Sequence, residues 1–267
     1  MHPNHFAGDE IAFTEAELFA VLLARDMADG ERAINGTNTD IQIAACNLAR
    51  QLQAPDLWWV SGPGGCMNPH ATEILPAVDH RYLHSSEAVM DLPAMVDFID
   101  WKVHFFDFAI LTAIQVDRFG NINTTCVGPY EAPRLRGPGI VGISALCALA
   151  KRFNVIMRSH TRSSFVERVD FLSGPGHLSG GTSRTDEGLP PGGTRYVISP
   201  LGVFGFAPHS KSMRIVSLHA GIGIETVERN TAFELIVPDP IPVTPAPTAQ
   251  ELQLLRTRVD RTGRLRT

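Results

Sequence analysis

The sequence is short of cysteine, of basic charge and of long apolar runs, and each shortage excludes something. Its four cysteines, Cys46, Cys66, Cys126 and Cys147, lie far apart and form no Cys-x-x-Cys pair. That spacing excludes a zinc ribbon and a disulfide framework, so each reads as a small apolar residue in a reducing compartment. With 23 Lys and Arg against 28 Asp and Glu, the net charge is −5. The basic face that nucleic acid requires is missing. The cluster Arg256, Arg258, Arg261, Arg264 and Arg266 is the exception, and it reads as a solvated tail or a subunit contact before a phosphate site. No apolar stretch is long enough to span a bilayer. The polar start, Met1 to Glu10, lacks the basic-then-apolar order of a signal peptide. The expectation is a soluble cytoplasmic protein that binds neither membrane nor nucleic acid. Catalytic signatures are absent as well: there is no Gly-x-Ser-x-Gly, no P-loop and no His-Glu-x-x-His. No metal or other cofactor is implied.

What is present is enough apolar residue for one substantial core, 44% of 267 residues. One domain over 1–267, with a proline-rich arm over 238–267, is the expectation. Thr14-Glu15-Ala16-Glu17 has capping-box spacing, and Leu18, Val21 and Leu22 follow with helical period. Asp40 starts a second helix that runs to about Gln51. Leu57 to Val60 and Phe108 to Val116 read as buried strands, with a helix from Ile140 to Lys151 and a strand at Asn154 to Met157. Thr194 to Ser199, Val203 to Phe206, Met213 to Leu218 and Phe233 to Val237 read as further strands, and Gln250 to Arg256 as a last helix. Strands alternating with helices through short Gly-rich turns predict an α/β fold with an open, largely parallel sheet covered on both faces. Ser173 to Gly193, loaded with Gly, Pro, Ser and Thr, predicts an exposed loop, either mobile or closing over a substrate.

Ligands of open α/β sheets bind at the carboxyl ends of strands. Two Gly-rich segments have that position: Ser61-Gly62-Pro63-Gly64-Gly65 after the Trp58-Trp59 strand, and Gly137-Pro138-Gly139 before the helix from Ile140. Glycine lets backbone amides approach a ligand, and amides can hold the negative charge that develops on a tetrahedral thioester carbon's oxygen. A tight turn has the same signature. His104, His160, His177 and His219 are scattered over different elements, as packing or surface histidines are. Glu131, in Tyr130-Glu131-Ala132-Pro133, is a candidate acid or base and equally a solvated loop carboxylate. Trp58, Trp59, Phe105 and Phe106 suit core packing better than contact with a flat apolar ligand.

Four segments carry a resemblance. Gln115-Val116-Asp117-Arg118-Phe119-Gly120-Asn121-Ile122-Asn123 matches the pattern Q-x-D-x-x-G-N-x-N. Phe165 to Phe171 follows, then Ser173-Gly174-Pro175-Gly176. Gly202 to Phe206 stands with Leu218-His219-Ala220-Gly221, and the arm Thr244-Pro245-Ala246-Pro247-Thr248 comes last. In this order, over nearly the whole chain, they resemble the β subunit of class I CoA-transferases of the glutaconate type. The resemblance implies a three-layer α/β/α fold, a homologous α subunit in an α2β2 heterotetramer, an active site between subunits, and an acyl-CoA thioester as substrate.

Transferases of this type place a glutamate nucleophile in the turn after the strand that precedes the first Gly-rich loop. Here the turn is Trp59-Val60-Ser61-Gly62, with Val60 in the glutamate's place, and no carboxylate lies between Asp56 and Glu73. Val60-Ser61-Gly62-Pro63-Gly64-Gly65 and the run from Arg136 to Ser144 resemble a branch that lacks that glutamate, the β subunits of actinobacterial steroid ring-cleaving hydrolases. That resemblance implies addition of water to a carbon ring of a steroid-derived acyl-CoA, with the acid–base carboxylate supplied by the α subunit. This chain would contribute backbone oxyanion donors at Gly137 and Gly139 and a substrate-binding wall at Val60, Ser61, Gly62, Gly64 and Gly65. The alternative is the β subunit of a true CoA-transferase acting on a dicarboxylic or other acyl-CoA.

Overall fold

Thr14 starts the first helix as its spacing predicts. In the computed structural model, which describes residues 12–36, 40–76 and 79–267, its hydroxyl accepts from the Glu17 amide while the Glu17 carboxylate accepts from the Thr14 amide at 2.9 Å. The expectation for Met1 to Glu10 lies outside the described residues. Chain contacts divide the protein into two compact units, Met1–Met95 with Pro245–Thr267, and Val96–Thr244.

In the first unit, α1 (Glu15–Arg25) leads to β1 (Arg32–Asn35), α2 (Asp40–Leu52) and β2 (Trp58–Ser61). β1 and β2 pair in parallel, Arg32 beside Trp58 through Asn35 beside Ser61. β3 (Cys66–Met67) turns back antiparallel on β2, and after α3 (His80–Ser85), β4 (Ala88–Val89) lies antiparallel on β3. Trp59, Phe19, Leu23, Ile43 and Leu48 are fully buried here. The C-terminal arm closes the unit through the helix Ala249–Leu254, whose Thr248 and Glu251 form a second capping box. The arginines beyond it are engaged within the chain. Arg256 donates to the fully buried Glu17 at 2.7 Å, Arg261 to Glu73 at 2.7 Å and Arg264 to Asp40 at 2.9 Å. Arg256 departs from the solvated-tail reading by pairing with a buried carboxylate, while Arg261 and Arg264 make their ion pairs at the exposed surface.

The chain leaves the first unit along α4 (Leu92–Trp101). In the second unit come β5 (Phe108–Ala113), β6 (Gln115–Asp117), β7 (Ile122–Asn123), β8 (Cys126–Val127), β9 (Leu135–Arg136), α5 (Ile143–Leu149), β10 (Arg152–Met157), β11 (Phe165–Val166), α6 (Ser183–Asp186), β12 (Thr194–Ser199), β13 (Gly202–Phe206), β14 (Met213–Leu218) and α7 (Ile224–Asn230). The main strands run in the order β14-β13-β12-β10-β5, with β5, β10 and β12 parallel and β13 and β14 antiparallel at the margin. The fold is α/β, parallel at its centre and antiparallel at its outer strands.

Three elements differ from expectation. The run Phe108 to Val116 is two strands, because the Ile114 amide bonds to Asn123 O and β6 joins a small sheet, β11-β6-β7. The helix expected from Ile140 begins at Ile143, since Gly142 takes a left-handed φ of 72° at its cap. Phe233 to Val237 is irregular chain with one bridge, Ile236 to Arg214, in place of a strand. Among the described residues no helix is long and apolar enough to cross a membrane.

Candidate functional site

The turn after β2 is built by backbone crowding. Side chains alternate along a strand, so Trp59 and Ser61 share one face and Trp58 and Val60 the other. A single 3-10 turn, Gly62–Gly64, follows and is closed by the Gly65 amide on Gly62 O at 3.2 Å. Gly65 takes φ 61°, and a Cβ there would lie 1.9 Å from the Met90 carbonyl oxygen. This glycine serves the close approach of two backbones. Val60 pairs with Ile34 on one side and Met67 on the other. Val60 and Ser61 are fully buried, while Gly62 and Gly64 keep partial exposure. Of the five residues expected to form the substrate-binding wall, only these two glycines offer a surface.

Gly137 and Gly139 follow directly on β9, at the end of the β8–β9 hairpin. Gly137 N–H donates to Thr125 O at 2.7 Å and Gly139 N–H to Thr124 O at 3.2 Å. A Cβ on Gly137 would meet Thr124 O at 2.2 Å. Neither amide is free to receive an oxyanion while these bonds stand, and neither opens a helix. The donor role expected of them is therefore corrected to a structural one: they seat the loop against the Thr124–Thr125 backbone.

The Gln115 to Asn123 motif turns out to be a polar frame. The Asp117 carboxylate accepts from the Phe119 amide at 2.9 Å, the Asn121 amide at 3.1 Å and Asn121 Nδ2 at 2.9 Å. Asn121 Oδ1 in turn accepts from the amides of Gly176 at 2.9 Å and Leu178 at 3.0 Å. Asn123 Nδ2 donates to Gln115 Oε1 at 2.7 Å, and Gln115 Nε2 reaches Asp170 Oδ2 at 3.2 Å. These polar residues replace the backbone partners that irregular chain lacks. Burial outweighs those bonds and pushes the Asp117 carboxyl up to about 6.

Arg184 fastens the segment Ser173 to Gly193 from within. It is 5% exposed. Its guanidinium donates to the carbonyls of Pro190, Pro175, Gly176, Cys147 and Ala148 at 2.7–3.0 Å, which uses all five N–H groups. The expected exposed loop is thus held on a buried cation.

Three of the four histidines singled out in the sequence, His160, His177 and His219, are core residues, while His104 is half-buried with Nε2 2.8 Å from Pro191 O. His160 bonds to Ser199 Oγ at 2.8 Å and Thr231 Oγ1 at 3.0 Å, and stacks on Phe165 with ring centres 3.6 Å apart. His177 bonds to Thr194 O, and His219 to Ser199 O and Thr244 Oγ1. Burial lowers His160 to about 3 and His177 and His219 to about 4, so all three are neutral at pH 7. Glu131 is exposed in the turn between β8 and β9. Trp59 packs edge-on against Tyr82, and Phe105 and Phe106 pack with Phe98, in keeping with core roles. All four cysteines are buried and free. Among the described residues no three of His, Cys, Asp and Glu cluster so as to hold a metal ion.

Sequence reasoning misses three buried polar residues: Arg184, and, in the first unit, Asn35 and Gln42. A lone arginine in a Gly/Pro-rich segment is the signal for the first. Asn35 at the carboxyl end of a strand is the signal for the second.

The profile of the coenzyme A transferase family matches residues 17–230. The chain is 33% identical over 257 residues to one subunit of the 3-oxoadipate CoA-transferase of Pseudomonas knackmussii, covering 94% of this chain and 95% of that one. It is 29% identical over 252 residues to the cholesterol ring-cleaving hydrolase IpdB subunit of Mycobacterium tuberculosis, covering 92% and 95%. Its fold matches the crystal structure of glutaconate coenzyme A-transferase from Acidaminococcus fermentans with a TM-score of 0.85, over 96% of this chain and 98% of that chain, at 23% identity.

Proposed function

This chain belongs to the coenzyme A transferase family, and we propose that it is the β-type subunit of a two-subunit enzyme that opens a carbon ring of a steroid-derived acyl-CoA by adding water. The observation that carries this reading is Val60. In the register of the resemblance it takes the place of the transferases' nucleophilic glutamate, and it is fully buried. Valine can neither attack a thioester nor move a proton. The next two glutamates along the chain are engaged: Glu73 accepts from Arg261 at 2.7 Å, and Glu87 from Trp58 Nε1 at 3.1 Å and Asn68 Nδ2 at 2.8 Å. The acid–base group then comes from the partner, a homologous α subunit in an α2β2 assembly, with its pKa tuned by burial between subunits. The names of the relatives support a two-subunit enzyme: one is a subunit of a CoA-transferase and the other the IpdB subunit of a ring-cleaving hydrolase. The CoA thioester is substrate, and no other cofactor enters.

A second reading, the β subunit of a CoA-transferase for a dicarboxylic acyl-CoA, is favoured by the 33% identity to the 3-oxoadipate enzyme's subunit. It requires an essential carboxylate on this chain, such as Glu73 or Glu131. The purified two-subunit complex, incubated with an acyl-CoA and a free-acid acceptor, separates the two. The hydrolase reading expects no exchange of CoA between acids. Rapid exchange that is lost on replacing one of these carboxylates by alanine contradicts it.

A further inference from the structure

In the first unit, four buried side-chain atoms have no hydrogen-bond partner among the described residues: Trp59 Nε1 on β2, and Asn35 Nδ2, Gln42 Nε2 and Gln42 Oε1. Asn35 is 1% exposed and Gln42 0%. A buried amide without a partner is destabilising, and native proteins satisfy almost all of them.

The two residues share one place in the fold. Asn35 ends β1, in parallel register with Ser61 at the end of β2. The Cys46 thiol reaches Asn35 Oδ1 at 3.7 Å. Gln42 lies four residues before Cys46 on α2, so it occupies the same helix face one turn nearer the helix start. The glycine turn adjoins them, since a Cβ on Gly62 would lie 2.8 Å from the Asn35 carbonyl oxygen. This is the carboxyl end of two parallel strands and the amino end of a 13-residue helix, where open α/β folds receive ligands.

The unpaired groups of Asn35 and Gln42 are two amide donors and one amide acceptor. None is charged, and burial pushes the Cys46 thiol up to about 12, so it remains protonated. A carboxylate would find only donors useful and would face the Gln42 carbonyl oxygen. An oxygen that both accepts and donates satisfies all three. We propose that Asn35 and Gln42 bind a hydroxyl-type oxygen beside the Ser61–Gly65 turn, either of a water molecule or of a hydroxyl on the substrate's acyl portion. The water source is independent of the reaction the enzyme runs. The substrate source rests on the acyl-CoA reading above.

Gln42→Met tests the site, because it keeps the side chain's length and removes both polar atoms. With water as the source, the variant melts several degrees below the native protein without any ligand, since the water is lost and Asn35 Nδ2 is stranded. Crystals of the free protein then show one oxygen within about 3.2 Å of both amides. With a substrate hydroxyl as the source, the variant melts no lower. Its complex with the partner subunit then binds 3-hydroxybutyryl-CoA at least about ten-fold more weakly, a loss of about 1.4 kcal/mol, and butyryl-CoA unchanged. A variant that melts at or above the native protein and binds both thioesters unchanged overturns the proposal. So does a crystal structure in which groups of the chain itself fill these bonds.

Discussion

The amide of Gly137 donates to the carbonyl of Thr125 at 2.7 Å, with the neighbouring Thr124 carbonyl oxygen only 2.2 Å from where a Cβ on Gly137 would stand. Glycine is required there by the chain's own backbone. Gly139 has open space around its Cβ position, and only its φ of 100° disfavours a side chain.

Gly137→Ala is therefore expected to cost several kcal/mol, on the order of 3 or more, because the loop has to move off the Thr124–Thr125 backbone. Gly139→Ala should cost about 1–2 kcal/mol from backbone strain alone. Thermal or urea unfolding of the two variants measures the difference. Equal, small effects would show that the Gly137 contact is not what fixes this loop.

Arg184 has no side chain that can replace it. Lysine has three donors against five carbonyls, so Arg184→Lys leaves at least two buried acceptors unpaired and costs on the order of 3 kcal/mol. Limited proteolysis of the variant should cut within 173–193, where the native protein resists. A variant as resistant as the native chain would remove the pinning role.

Asp117 makes stability depend on pH. Its carboxyl lies at about 6 in the folded chain against an ordinary 3.8. Between those values the folded state keeps a proton that the unfolded state has lost, so this group's contribution falls as pH rises from about 4 to about 6. The full difference is about 3 kcal/mol. Measured against Asp117→Asn, the native protein should gain stability on going from pH 7 to pH 4.5. Parallel pH curves for the two proteins would contradict the assignment.

The thiols should be silent. Cys46, Cys66, Cys126 and Cys147 are all buried, and burial raises Cys46, Cys66 and Cys147 above the ordinary thiol range. Iodoacetamide at pH 8 is expected to label none in the native protein and all four in denaturant. Fast native labelling of any one would mark an opening that this structure does not have.

The elements legible in the sequence are those with local causes. The capping box at Thr14 and Glu17 carries its own geometry, and Met213–Leu218 alternates buried and open positions as an outer strand does. The strand from Phe108 reads too long in the sequence because its apolar run continues across the point where the chain changes sheet. The glycines mislead for a general reason. Gly65 and Gly137 have the composition of a ligand loop, yet the approaching groups are the carbonyls of Met90 and Thr124, and a carbonyl leaves no mark in sequence. Arg184 escapes for the same reason, since its partners are five carbonyls. The polar motif from Gln115 to Asn123 is recognisable as a pattern, but its role as a frame for Gly176 and Leu178 depends on contacts far along the chain.

The central claim is that this chain contributes no covalent nucleophile, and one measurement tests it most directly. The purified complex is incubated with an acyl-CoA substrate, treated with borohydride and digested, and this chain's peptides are weighed by mass spectrometry. The account predicts no reduced acyl-enzyme or glutamyl-CoA product on any carboxylate of this chain, including Glu73, Glu87 and Glu131. A reduced glutamate on one of its peptides, formed only with substrate present, would contradict it.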